Sequence, residues 1–213
     1  MSAILYSFRR CPFAMRGRMA LKVSGVDLEH REILLRDKPD SMVKASPKAT
    51  VPVVILKDGT VIEESLDVIS WALARNDPLG WLDCDRDKAD ALISENDGPF
   101  KHHLDRYKYA SRYKEDAKRG DIDLEHRKQA EKFIAKLETN LLANKTQGPN
   151  FLIGTRQSIA DIAIFPFIRQ FANADKDWWN KAPYPHVQDW LNYHIASDLF
   201  ISIMGKHPIW VDP

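Results

Sequence analysis

The chain has 213 residues, 31 Lys+Arg against 30 Asp+Glu for a formal net charge of +1, 44% hydrophobic residues and two cysteines. That length suits one large domain or two small ones, with enough apolar side chain to build a core without staples. Balanced, scattered charge leaves no electrostatic footprint for nucleic acid or an anionic membrane. Two cysteines supply neither a disulfide framework nor the repeated Cys/His spacing of structural zinc.

Met1 to Phe8 run straight into Arg9 and Arg10 without the apolar core of a signal peptide, and no stretch approaches the roughly 18 apolar residues of a membrane span. The expectation is a soluble cytoplasmic protein of a reducing compartment, with no nucleic-acid or membrane partner.

Ala3 to Phe8 reads as a strand, and Pro12 to Ser24 as a helix with Phe13, Met15, Met19, Ala20 and Val23 at near-helical spacing and Gly25 as its stop. Leu28 to Leu34 reads as a second strand, Ser41 to Ala45 as a short helix and Val51 to Leu56 as a third strand. Asp58-Gly59 then marks a hairpin into Val61-Ile62, and Ser65 to Ala74 closes the segment as a helix. The order β-α-β-α-β-β-α over residues 1–75 calls for a four-stranded sheet with helices on its faces. Residues 76–86, with Pro78 and Gly80, read as a linker. Residues 87–213 show only amphipathic helical patterns, at Asp87–Lys118, Leu124–Asn144, Ser158–Asn173 and Pro185–Ile203, so the second domain is expected to be all-α.

Cys11 falls where the first strand ends and the first helix begins. With Pro12 at the first helical position, Cys11 is expected at the N-cap, where unpaired N–H groups and the helix dipole favour a thiolate. Ala14 stands where a dithiol oxidoreductase keeps its resolving cysteine, so a disulfide formed at Cys11 must be resolved by an outside thiol. The other reading is a buried, inert cysteine. Val51-Pro52 opens a strand-like run, an unusual place for proline; a cis bond turns the Val51 backbone outward to pair with an extended peptide, whereas a trans bond means an ordinary edge strand. Glu64-Ser65 begins the next helix, either as a plain cap or as an anion site for a carboxylate, and Lys38 is either a solvated lysine or a second receiver. Together these residues describe a site for a short thiol peptide with two carboxylates.

In this combination the chain resembles cytosolic glutathione transferases, most closely the cysteine-containing omega-type and related bacterial ones. The resemblance rests on Cys11-Pro12-Phe13-Ala14 followed by Arg16 and Arg18, on Val51-Pro52, on Glu64-Ser65, on Lys38 and on the capping box Ser158-Ile159-Ala160-Asp161. It implies a thioredoxin-like first domain, an all-helical second one and homodimerisation. It also implies glutathione as co-substrate, held by Lys38, Val51, Pro52, Glu64, Ser65 and Phe13, with Cys11 catalytic. Only ten residues precede Cys11, so the N-terminal extension of animal omega enzymes is expected to be absent.

In that family a cysteine at this position favours thiol transfer and reductive deglutathionylation through a mixed disulfide. A conjugating transferase for aromatic electrophiles and a non-catalytic binding module are the alternatives. A co-substrate pocket is expected between the domains, bordered by Pro12 and by Phe100, His103, Leu104 and Tyr107, which share a helix face; the same stripe also reads as inter-domain core. Lys101-His102-His103 has no completing ligand set, so no metal is expected. The tryptophans Trp178, Trp179, Trp190 and Trp210 read as packing residues.

Overall fold

The computed structural model describes residues 2–144 and 148–213. They form two compact units, one of Met1–Gly80 with Ala196–Pro213, the other of Trp81–Ile195.

The first unit is built on a four-stranded sheet of order β2-β1-β3-β4. Strand β1 (Ala3–Ser7) pairs parallel with β2 (Leu28–Glu32) and antiparallel with β3 (Val53–Ile55), which pairs antiparallel with β4 (Val61–Ile62). Gly59, at φ +87°, makes the hairpin turn that Asp58-Gly59 foretold; its N–H donates to the Leu56 carbonyl, and the Asp58 side chain accepts from Thr60 N. Helices α1 (Pro12–Val23), α2 (Asp40–Ala45) and α3 (Ser65–Arg75) complete the expected β-α-β-α-β-β-α order, so this half is a thioredoxin-like domain. Gly17 sits where a Cβ would be at van der Waals contact, 3.4 Å from both Pro52 Cγ and Val68 Cγ1.

Among the described residues the second unit's regular structure is helical: α4 (Arg86–Glu95), α5 (Lys101–Lys108), α6 (Leu124–Ala143), α7 (Ile159–Ala172), α8 (Lys176–Trp179) and most of α9 (Pro185–Ala196). The segment expected as one helix over Asp87–Lys118 is interrupted twice. Pro99 has no N–H to donate, so Asn96–Phe100 winds as a π-helical turn in which Lys101 N reaches back to the Asn96 carbonyl. The helix then ends at Lys108, where Tyr109 leaves helical dihedrals at φ −121°, ψ 46°. The capping box forms as expected, and Asp161 does more than cap: it is fully buried and accepts from Ser158 N, Ser158 Oγ, Leu152 N and Trp190 Nε1 at 2.8–2.9 Å.

The boundaries 1–75, 76–86 and 87–213 need correcting at two places. Trp81 lies in the helical core, its indole N–H donating to Gln157 Oε1 and its carbonyl accepting from Ile159 N, so the second unit begins inside the expected linker. The helix expected over Pro185–Ile203 breaks at Ser197, whose hydroxyl caps a new helix, α10 (Asp198–Ile203), by accepting from Phe200 N. From Ala196 onward the chain belongs to the first unit, and Trp210 N donates to the Glu32 carbonyl at the free edge of β2.

Asp161→Ala leaves four donors without their acceptor and is expected to cost about 3 kcal/mol in a urea titration; a loss below about 1 kcal/mol refutes the hub.

Candidate active site

Cys11 occupies the N-cap of α1 with Pro12 directly after it, as the sequence indicated. Its N–H donates to the Phe8 carbonyl at 3.0 Å and its own carbonyl accepts from Met15 N at 2.9 Å, so backbone bonds on both sides fix the residue. The thiol is partly exposed and lies 3.7 Å from the Val51 carbonyl oxygen, and the Val51-Pro52 peptide is cis. Beneath it lies an apolar cluster of Tyr6, Ala14, Ile33, Met42, Val51 and Val53. Cys84, by contrast, sits against the Trp81 carbonyl in the helical unit, and burial pushes its thiol up.

Arg16 and Arg18 are two residues apart on α1, about 200° around the helix, so they leave it in nearly opposite directions. Arg16 is buried; its Nε donates to Ser65 Oγ at 2.9 Å and its guanidinium lies 5.0 Å from the partly exposed Phe13 ring. Arg18 turns toward the end of β1. Its Nη1 donates to Ser7 Oγ and the Phe8 carbonyl, its Nη2 to the Arg9 carbonyl at 2.8 Å, and its Nε to the Ile203 carbonyl on α10. Burial brings its pKa down to about 10, while the charges of Glu32 and Cys11 hold it up and Arg9 lowers it, so the guanidinium stays charged at neutral pH. Glu32 completes the clamp by accepting from Arg9 N at 2.6 Å and from the His30 ring. Burial by itself pushes the Glu32 carboxyl up, but His30, the Arg9 amide and Arg18 outweigh it and hold the group below the ordinary carboxylate range. The sequence offered Arg18 only as part of a motif and gave no sign of Glu32, because a salt-bridging role at a strand end has no periodicity to betray it.

The start of α3 differs from expectation by one residue. Glu64, not Ser65, is the N-cap; Ser65 is buried, and its hydroxyl accepts from Arg16. The Glu64 carboxylate is paired with Lys48, a partner the sequence reading missed. Lys38 is partly buried in the loop before α2. The structure thus gathers Cys11, Pro12, Phe13, Val51, Pro52, Glu64 and Ser65 within one unit, around the starts of α1 and α3.

The aromatic stripe packs within the helical unit itself. Phe100, Leu104 and Tyr107 are buried, with Phe100 against Phe133 and Phe171 and Tyr107 against Phe171. Burial pushes the Tyr107 hydroxyl up to about 12. These three pack inside their own unit, because the π-helical turn and α5 together present this face to α6 and α7. Only His103 of the set is partly exposed, with its Nδ1 2.8 Å from that of His126.

Residues 5–79 match the family model for the glutathione S-transferase N-terminal domain, and residues 98–192 the model for the glutathione S-transferase C-terminal domain. The chain belongs to the glutathione S-transferase family. It is 35% identical over 68 residues to glutathione S-transferase U22 of Arabidopsis thaliana and 39% identical over 62 residues to glutathione S-transferase omega-1 of Mus musculus. These stretches are 32% and 29% of this chain but only 31% and 26% of the relatives' lengths. In fold it is similar to glutathione transferase Omega 3C from Trametes versicolor, with a TM-score of 0.76 at 18% identity over 98% of this chain and 91% of that one.

Arg18→Met is expected to lower the melting temperature and to slow iodoacetamide alkylation of Cys11 severalfold at pH 7, since the cation beside the thiol is gone; unaltered alkylation detaches Arg18 from the thiol. Glu32 is more acidic folded than unfolded, so its contribution is complete above the ordinary carboxylate range and is lost as pH falls through the folded value. Glu32→Gln is therefore expected to be about 1–2 kcal/mol less stable than the parent at pH 7, the gap closing below about pH 4 in urea melts. A gap that persists at acid pH contradicts this.

Proposed function

We propose that this family member binds glutathione in its first unit and uses Cys11 for glutathione-dependent thiol transfer. The observation that carries the reading is a partly exposed thiol at the N-cap of a twelve-residue helix, 3.7 Å from the Val51 carbonyl, with the buried cation Arg18 behind its loop. A helix N-terminus and a nearby cation both favour the thiolate, the nucleophilic form. The Glu64-Ser65 segment supports the γ-glutamyl end. Ser65 Oγ accepts from Arg16, which leaves its hydroxyl proton and its backbone N–H at the start of α3 to be donated to a carboxylate. Lys38 takes the glycyl carboxylate, and Phe13 and Pro12 border the sulfur.

The Cys11 thiolate attacks the glutathione sulfur of a mixed disulfide, forming a Cys11–glutathione disulfide and expelling the substrate thiolate, which takes up a proton. A second glutathione, as its thiolate, attacks the glutathione sulfur of that intermediate. Glutathione disulfide leaves and the Cys11 thiolate returns, so one glutathionylated thiol is reduced for each disulfide formed. Ala14, buried in α1, offers no resolving thiol, which is why the second thiol comes from solution. The reading suits the cytoplasm, where glutathione is held reduced, and a homodimer as in the resemblance noted above.

Cys11→Ala is expected to abolish glutathione-dependent reduction of a glutathionylated peptide; undiminished turnover overturns the assignment. Cys11→Ser is expected to lose thiol transfer and gain conjugation of glutathione to an aromatic halide. A parent protein that already conjugates the halide and leaves mixed disulfides untouched favours the conjugating reading instead.

A further inference from the structure

The segment after α10 ends in a chain of hydrogen bonds that the proposed chemistry does not use. Trp210 N donates to the Glu32 carbonyl at 2.8 Å, placing this segment along β2, and His207 stacks on His30 with ring centroids 3.9 Å apart. Two residues on, Asp212 accepts from both the backbone N–H and the hydroxyl of Ser41 in α2. The donor sense of the rest follows from proton counting. Ser41 spends its only hydroxyl proton on Asp212, so Tyr6 must donate to Ser41 Oγ at 2.7 Å, and Arg31 Nη1 donates to Tyr6 Oη at 2.7 Å. The relay thus runs from Arg31 through Tyr6 and Ser41 to Asp212, every proton directed at the carboxylate. Arg31 also lies 3.9 Å from the centroid of the Trp210 ring, whose N–H donates to Asp212 at 3.1 Å.

Helix α2 has six residues, too few to hold itself together in water, so its position depends on what it is fastened to. Met42 anchors it from below, in the cluster against which Cys11 packs. Its first turn is fastened by Asp212. Ser41 is three residues past Lys38, and Pro39 limits the backbone between them. We propose that Asp212 is a positioning residue for glutathione: by clasping the first turn of α2 it holds the loop that presents Lys38, so that this loop is ordered before the tripeptide arrives. The proposal rests on the reading of Lys38 as a glutathione-binding residue. Asp212 touches no reacting atom, so its effect belongs in affinity and not in the chemistry of the thiol. The Ser41 bonds and the Trp210 N–H keep its carboxyl below the ordinary carboxylate range, so the clasp stays closed at neutral pH.

Calorimetric titration of reduced glutathione into the full chain tests this, together with the rate of Cys11 alkylation by iodoacetamide. Asp212→Asn is expected to weaken binding about fivefold, the scale of one ordinary hydrogen bond, with Asp212→Glu restoring part of it and alkylation of Cys11 unchanged in both. In a Lys38→Met background, where the receiver is gone, Asp212→Asn is expected to add almost nothing. An unaltered dissociation constant for Asp212→Asn, slowed alkylation, or a fivefold effect that persists without Lys38 each overturns the proposal. If Lys38→Met itself leaves glutathione binding untouched, the reading of Lys38 fails, and the clasp fails with it as a device for this ligand.

Discussion

A guanidinium taken out of water must find acceptors for its N–H groups, and the way Arg18 finds them sets the geometry of the first unit. The cheapest buried acceptors are backbone carbonyls left over where a strand stops, and the end of β1 supplies two, at Phe8 and Arg9. Gathering them curls the chain into the tight connection that ends in Cys11. Glu32 on the neighbouring strand then compensates the charge and takes the Arg9 amide, so the loop is gripped through carbonyls on one side and an N–H on the other. The thiol takes its place from this arrangement and lies 3.7 Å from the Val51 carbonyl.

Arg16 performs the complementary task on the far side of the same helix. Its bond to Ser65 ties the start of α1 to the start of α3, so the two helix N-termini that matter for an anionic thiol peptide are joined through one side chain. Gly17 lies between them, packed toward Pro52 and Val68. Three consecutive residues of α1 thus hold the loop, the second helix start and the proline strand in register. The motif Arg16-Gly17-Arg18 is a packing instruction as much as a source of positive charge.

The sheet and its hairpin were legible in the sequence because their signals are local: β-branched runs, Asp58-Gly59, and a proline just inside α1. Cys11 was legible for the same reason, a residue type at a chain position with a defined electrostatic environment. The misreadings share a cause as well. Amphipathic spacing continues through Pro99 and through Ser197, but a missing N–H diverts the first into a π-helical turn and a capping hydroxyl starts a new helix at the second. The stripe of Phe100, Leu104 and Tyr107 has one periodicity whether it meets a ligand or a helix, and only the rings of Phe133 and Phe171 decide the matter. Asp212 left no trace at all, since its Ser41 partner is 171 residues away, and Glu32 left none because its Arg9 partner lies on another segment.

That distance has a consequence for how the protein is made. Arg18 bonds to Ile203, 185 residues away, and Ser41 to Asp212, 171 residues away, so the first unit is completed by residues 196–213. A ribosome delivers the sheet, α1 and α3 early and must then deliver the whole helical unit before α10 emerges. Throughout that interval the nascent sheet has the Cys11 loop without part of its clamp and α2 without its fastening, and β2 presents an uncovered edge. This unit is begun before the helical one and closed after it.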